Sequence, residues 1–503
     1  MDKDLLGIRL ERNQDESSPE HHVLPTASMT GWASYLPGFL DEPAPGKRRP
    51  TLKKKRSRDD TRIAGFRNPW PSFHKATAQE VFQALEWGAD LDPTIDLAAS
   101  HLPSTSSTDS IRKKAAQLLQ VEKPDFSFNP EGAQHAKTTW LGHAGMLLQL
   151  PALKQGGPPI RIIFDPIFSQ RASPSQYAGP VRSYEPPCRL EELPPIDIFL
   201  LSHNHFDHLD YDTVMALWRL NKDHLRFIVP LKNARWFTDA GIPSDRVSEL
   251  DWWETAYVEE QSAEAGRLKI SCTPAQHSSV RDGYNADEAL WAGWHLSHEL
   301  PDRESYRIFF AGDSGYQCHP DPAWPPRPPP NTLHKDLEDE RVKKVADPDN
   351  TSSEKYPACP AYREVAERLG SPDLVYLPIA LGATWAYLRS FFSNYMPPST
   401  VPFPRHSAGV TGAIHMPPWD ALRVLRDLTE GRNKTGRPPP VTIALHWGTF
   451  VTEPIEILKT LGGLEWACYN QGARFRRKLE KGDLEDGAKP PFLTVNQGQS
   501  VVT

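Results

Sequence analysis

The sequence predicts a layered α/β fold. Three observations predict it. Short apolar runs with β-branched and aromatic content recur from about Phe66 onward. Segments with helical spacing lie between several of them. With 503 residues, the chain can bury a large core, as one big domain with appendages or as two or three ordinary ones.

The elements follow in chain order. Residues 1–60 are polar, contain proline and lack sustained periodicity, so a disordered extension is expected. Within it "KRRPTLKKKRSR", Lys47 to Arg58, carries eight basic residues in twelve. It reads as a solvated charged segment; contact with anionic lipid heads and nuclear import are the other uses of such a run. Ala78 to Trp87 has helical spacing, with Ala78, Val81, Phe82 and Leu85 on one side. "TDSIRKKAAQLLQ", from Thr108, reads as an N-capped helix. "TTWLGHAGMLLQL", Thr138 to Leu150, reads as two strands joined at Gly142 to Gly145, and "IRIIFDPIF" follows as a third. "IDIFLLS", "LRFIVP", "RLKISCTPAQH", "ALWAGWHLS", "YRIFFAGDSG", "DLVYLPIA" and "VTIALHWGTF" continue the series. "DTVMALWRLN" and "PWDALRVLRDLTE" supply helices. Two proline-rich stretches, about 317–358 and 388–414, read as loop insertions. One unit over 61–485 is therefore expected, with 486–503 as a C-terminal tail.

Composition narrows the function. A net charge of -7 without a basic stripe in the central region argues against nucleic acid as a partner. Five cysteines, Cys188, Cys272, Cys318, Cys359 and Cys468, stand far apart and form no CxxC pair. That argues against a disulfide framework or a cysteine-zinc ribbon, and points to a reducing compartment such as the cytosol. No apolar run reaches the roughly 18 residues of a spanning helix, and the acidic N-terminus resembles neither a secretory signal nor a transit peptide. A cytoplasmic protein that visits membranes peripherally is the expectation.

The chemistry gathers at strand ends. "LSHNHFDHLD", Leu201 to Asp210, follows an apolar run and holds His203, His205, Asp207 and His208. In extended backbone His203 and His205 point the same way, so both can reach one ion. Asp207 and His208 then turn towards a second. Imidazole and carboxylate suit zinc, and also iron or manganese. His277, Asp313 and His446 each follow an apolar run as well, so a sheet can bring them to the same edge.

HxHxDH followed by a distant His, a GD and another His resembles the metallo-β-lactamase superfamily. The resemblance implies an αβ/βα sandwich of two mixed sheets flanked by helices, with a binuclear metal centre at their edge. It implies that His203, His205 and His277 bind one metal, that Asp207, His208 and His446 bind the other, and that Asp313 bridges them. "NPWPSF", "TWLGHAGMLL", "DPIFSQRASPSQYAGPVR", "ELDWWE", "TPAQHSS", "FFAGDSGY" and "ALHWGTF" narrow this to a resemblance to the N-acylphosphatidylethanolamine-hydrolysing phospholipase D family, from about Phe66 to about residue 480.

That resemblance implies a phosphoric diester hydrolase with two zinc ions, or another divalent transition metal, whose bridging hydroxide attacks phosphorus and releases an N-acylethanolamine and phosphatidic acid. The alternative keeps the centre and changes the substrate to another phosphodiester, a lactone or an ester. A phospholipid, a membrane surface and a second copy of the chain are the implied partners. His143 and Asp165 are expected to orient ligand imidazoles. Gln176, Tyr177, Phe206 and His415 are expected at the substrate, His415 also as a proton donor. Two positions depart from the family: Phe206 stands where a tyrosine is expected, and Ile414 where a glutamine is.

Overall fold

The computed structural model describes residues 6–12, 19–23, 63–86, 94–102, 111–129, 135–259, 265–282, 285–319, 356–379, 405–406, 408–432, 436–451, 454–485 and 487–503. The basic run at Lys47–Arg58, the cap at Thr108 and most of the two insertions lie outside them.

Two large sheets form the body. The nine-stranded sheet runs, in spatial order, Gly7–Glu11, Thr255–Glu259, Arg267–Thr273, Gly293–Glu299, Tyr306–Phe310, Leu374–Pro378, Val441–Leu445, Pro491–Leu493 and Arg474–Arg476. The seven-stranded sheet runs Val247–Leu250, Arg226–Pro230, Ile198–Leu200, Ile160–Phe164, Gly145–Leu150, Lys137–Gly142 and Ser500–Val502. Both mix parallel and antiparallel pairs, as the predicted sandwich requires.

Alternation along each strand divides the core. Met146, Leu148, Ile162, Phe164, Ile198 and Leu200 face the nine-stranded sheet, where the Phe164 ring meets Phe310 at 4.8 Å. Leu147, Ile163, Phe199 and Phe227 face the other way, against Val214, Leu217 and Phe237 of helices Tyr211–Asn221 and Ala234–Asp239. With both faces covered, central strands read as continuous apolar runs. Helices Pro418–Thr429 and Ile455–Asn470 cover the nine-stranded sheet's outer side. The latter presses on Thr94–Ser100 so closely that a Cβ at Gly462 would lie 1.8 Å from the Thr94 carbonyl oxygen.

Three expectations are corrected. Residues 1–60 are not wholly irregular: Gly7–Glu11 pairs antiparallel with Thr255–Glu259, because Ile8 and Leu10 alternate onto the core while Arg9 meets Glu259 at 3.0 Å. The helix at Ala78 ends at Gln83, since Leu85–Glu86 turns to pair with Arg405–His406. Its Thr77–Glu80 capping box turns Glu80 inward, onto His74 at 2.7 Å and the Tyr356 hydroxyl, and leaves Phe82 73% exposed.

Third, residues beyond 486 are not a tail. Pro491–Leu493 lies between Val441–Leu445 and Arg474–Arg476, and Ser500–Val502 pairs with Lys137–Gly142. A chain cut after residue 486 is expected to lose its cooperative thermal transition, because both sheets are broken at once. A truncated protein that melts at the parent temperature would restore the tail reading.

Candidate metal centre

Every strand that delivers a site residue ends at the same rim. Asp165 follows Ile160–Phe164, and His203 to His208 follow Ile198–Leu200, in the seven-stranded sheet. His277 follows Arg267–Thr273, Asp313 follows Tyr306–Phe310 and His446 follows Val441–Leu445, in the nine-stranded sheet. His143 occupies the turn between Lys137–Gly142 and Gly145–Leu150. His143, Asp165 and His446 all take positive φ, at 52°, 37° and 58°. Such strain in non-glycine residues persists where surrounding contacts over-determine it.

The side chains fall into two groups around Asp313. In the first, His203 Nε2 lies 2.8 Å from His205 Nδ1 and 3.1 Å from His277 Nε2, and His277 Nε2 lies 3.4 Å from His205 Nδ1. Ligand nitrogens at about 2.0–2.1 Å from a tetrahedral ion stand about 3.3 Å apart, so this triangle has the right size. In the second, Asp207 Oδ2 lies 3.4 Å from His446 Nε2, 3.5 Å from His208 Nε2 and 2.8 Å from His143 Nε2. Asp313 Oδ2 reaches both groups, 3.6 Å from His277 Nε2 and 3.2 Å from His446 Nε2.

Hydrogen bonds behind the rings decide which nitrogen faces inward. Asp165 is acceptor-only when ionised, so His208 Nδ1 donates to its Oδ2 at 2.7 Å. Ser202 Oγ donates to that same oxygen, and its own oxygen then accepts from His203 Nδ1 at 2.9 Å. His277 Nδ1 donates to the Ile414 carbonyl at 3.1 Å. The Nε2 lone pairs of His203, His208 and His277 are thereby turned into the cluster, the arrangement that metal-binding imidazoles adopt. The buried His208 Nε2, His446 Nε2 and Asp313 Oδ1 have no hydrogen-bond partner. A cation between the groups satisfies them all, and the donor set fits one.

Electrostatics agree for the first group, whereas in the second a bound cation would have to displace protons from His208 and His446. Burial, then the neighbouring imidazoles, hold His203 well below the usual histidine range, and burial holds His277 there too; burial takes His205 to about 4. These rings are neutral and ready to ligate. Burial opposes charge on His208 and His446 as well, but the carboxylates outweigh it. Asp207 and the Asp165 hydrogen bond raise His208 well above its ordinary value; Asp313 and Asp207 take His446 to about 9. Despite burial, the surrounding histidines keep Asp207 and Asp313 far below the usual carboxylate range.

The other predicted residues divide. Asp165 accepts from His208 Nδ1 at 2.7 Å. His143 comes closer than expected, its ring directly on Asp207, and burial lowers it to about 3. His415 Nε2 stands 2.8 Å from Asp313 Oδ2 and stays partly open to solvent. Gln176 is not brought to the site: it closes its own turn on the Arg171 backbone at 3.0 and 3.2 Å. Tyr177, at the tip of that turn, is 94% exposed. Phe206 carries the Arg281 guanidinium 4.0 Å over its ring. At Ile414 the backbone carbonyl serves the site, so the missing glutamine leaves His277 held.

Four supports were not among the expected site residues, although Asn68, Ser202 and Thr449 lie within the quoted segments. Arg281 Nη1 donates to the carbonyls of Leu209 at 2.6 Å and Asn204 at 3.2 Å, clamping the HxHxDH loop from outside. Asn68 brackets His277, accepting from its N–H at 3.1 Å and donating to its carbonyl at 2.7 Å. Thr449 Oγ1 accepts from the His143 N–H at 2.6 Å. Ser202 links two imidazoles to Asp165 and crowds Gly312, which has φ of 64° and where a Cβ would lie 2.7 Å from that of Ser202.

Arg281→Ala is expected to cost about 2–3 kcal/mol, typical of hydrogen bonds to a charged group plus a cation–π contact. Arg281→Lys restores little, since an ammonium lacks the planar fork. Chemical denaturation of both variants checks this, and parent-like stability would mean that the loop is held elsewhere.

Two sheets with HxHxDH, His, Asp and His at one rim define a metallo-β-lactamase-fold hydrolase, and residues 160–322 match the model of the β-lactamase superfamily domain. A phospholipase D of Caenorhabditis elegans, named for hydrolysing N-acyl-phosphatidylethanolamine, is 37% identical over 364 residues, 72% of this chain and 74% of its own length. The chain belongs to the N-acyl-phosphatidylethanolamine-hydrolysing phospholipase D family. The mitochondrial protein of that name from Saccharomyces cerevisiae is 29% identical over 320 residues, 62% of this chain and 50% of its own. An uncharacterised Mycobacterium tuberculosis protein is 36% identical over 184 residues, 37% of this chain, and the match spans only 44% of that relative's length.

Proposed function

We propose that the chain is a zinc-dependent phosphodiesterase that hydrolyses N-acylphosphatidylethanolamine to an N-acylethanolamine and phosphatidic acid. The observation that carries this reading is Asp313 Oδ2 between two sets of inward-facing imidazoles. His203, His205 and His277 would hold one zinc, Asp207, His208 and His446 the other. When bound, such a pair supplies a strong nucleophile at neutral pH and offsets charge on phosphoryl oxygens.

The chain's own groups do the rest. Asp207 and Asp313 balance the cationic charge. Asp165 and Ser202 keep His208 and His203 from turning. His415, held against Asp313 and reachable from solvent, is placed to bind phosphate and to give a proton to the leaving oxygen. A two-tailed lipid has to be drawn from a bilayer, so peripheral contact with a cytoplasmic membrane face belongs to the proposal. Exposed Phe82 and Tyr177 support it, and no helix among the described residues is long and apolar enough to cross a membrane. The aromatic run at Tyr387–Met396 and the basic run, the sequence's other candidates for that contact, lie outside the described residues.

The test is hydrolysis of dispersed N-acylphosphatidylethanolamine with products identified by mass spectrometry. An N-acylethanolamine and phosphatidic acid in equal amounts are expected. Cleavage of lactones or simple diesters with no attack on the lipid would move the chain to another substrate.

A further inference from the structure

A second group of potential ligands lies apart from the rim and shares no residue with it. His21 and His22 turn both rings onto the carboxylate of Asp251. His21 Nε2 lies 2.7 Å from Oδ1, and His22 Nε2 lies 2.8 Å from Oδ2. All three side chains are more than nine-tenths buried.

Only one of these contacts has the alignment of a hydrogen bond. His21 Nε2 is aligned with Oδ1. His22 Nε2 is as close to Oδ2, yet it has no hydrogen-bond partner. A ring N–H that donated to Oδ2 from this distance would point at it. The His22 nitrogen is thus buried with a carboxylate oxygen at 2.8 Å and no aligned partner, a demand that an ion held by both would meet. Charge points the same way. A buried carboxylate needs a cationic partner, and among the described ion pairs Asp251 has only the two imidazoles. Arg12, the nearby guanidinium, pairs with Glu254.

We infer that His21, His22 and Asp251 form a structural site for a divalent cation of the zinc class. With the proton of the His21–Asp251 hydrogen bond displaced by the ion, two imidazole nitrogens and both carboxylate oxygens make four donors, a closed set with no position for substrate. Aromatic rings wall it in: Trp252 stacks on His21 at 4.2 Å, Trp70 on Trp252 at 5.4 Å, and Phe66 stands at the edge of His22 at 5.5 Å. Its place in the fold gives it a task. His22–Val23 pairs with Gly65–Phe66, and Asp251 sits in the turn before Thr255–Glu259, the partner of Gly7–Glu11. The ion would staple the N-terminal segment to the ends of both sheets.

The experiment loads the full-length protein with zinc after chelation and removes excess metal. Bound zinc is then counted in the parent, in His22→Gln and in His21→Gln/His22→Gln. Each variant is expected to hold one ion fewer than the parent, with hydrolysis at the rim unchanged, and to lose the part of the zinc-dependent rise in melting temperature that this ion supplies. Equal zinc in parent and variants overturns the site and leaves plain hydrogen bonding to Asp251. Anomalous scattering at the zinc edge from crystals of the parent decides the matter if the variants fail to fold: a peak between His22 and Asp251 supports it, and none there overturns it.

Discussion

Asp313→Asn is expected to abolish hydrolysis, by about a thousandfold or more. Among the described residues, Asp313 is the one carboxylate whose Oδ2 reaches both imidazole groups, and its Oδ1 is buried there without a hydrogen-bond partner. Asparagine keeps the size and removes the charge. Its amide cannot bridge two cations with two anionic oxygens, so the pair loses both its spacing and its charge balance. Charge stabilisation by metal ions in such sites is worth several kcal/mol, and 1.36 kcal/mol is a factor of ten in rate. Metal content should fall with activity, because in the proposed centre Asp313 is a ligand and not a substrate contact. An Asp313→Asn protein with full metal and full turnover would remove Asp313 from the centre.

The second large effect is expected at a residue that touches no metal. Asp165→Asn should lower metal affinity or turnover about 10–100-fold, as outer partners of ligand histidines generally do. Asp165 takes Nδ1–H of His208 at 2.7 Å, accepts the Ser202 hydroxyl, and accepts the Ser202 N–H at 2.7 Å. Asparagine tolerates the positive φ of 37° at this position, so the backbone should stay in place. What is lost is the anionic acceptor that fixes the His208 tautomer and, through Ser202, that of His203. Metal titrations followed by calorimetry, alongside a melting curve, separate this from unfolding. An unchanged metal affinity in a folded variant would mean that His208 is oriented without it.

How much of this was legible in the sequence differs from residue to residue. His203, His205, Asp207, His208, His277, Asp313 and His446 could be read because each is a polar ligand type at the end of an apolar run, where packing gives it no reason to be. Strand order and depth of burial then bring such ends to one rim. Arg281 could not be read, and Asn68 was visible only as the first letter of "NPWPSF", without its task. Each acts on the backbone of a segment far away in sequence, Asn68 on His277 and Arg281 on the loop at Asn204–Leu209, and an arginine or asparagine in a loop has many ordinary uses. Phe206 was noticed for a missing hydroxyl, whereas its ring face serves Arg281. Gln176 and Tyr177 sit in a motif-rich segment, but turn closure accounts for the first and solvent surrounds the second. The short strands at Pro491–Leu493 and Ser500–Val502 have three residues each, too few to show a period before their partners are known.

The most direct test of the account is anomalous scattering at the zinc edge from crystals of zinc-loaded protein. Two peaks at the rim are expected, about 3.5–4 Å apart, one bounded by His203, His205 and His277, the other by Asp207, His208 and His446, with Asp313 touching both. One peak, or none, at that rim in fully loaded crystals would contradict a binuclear centre and the mechanism built on it.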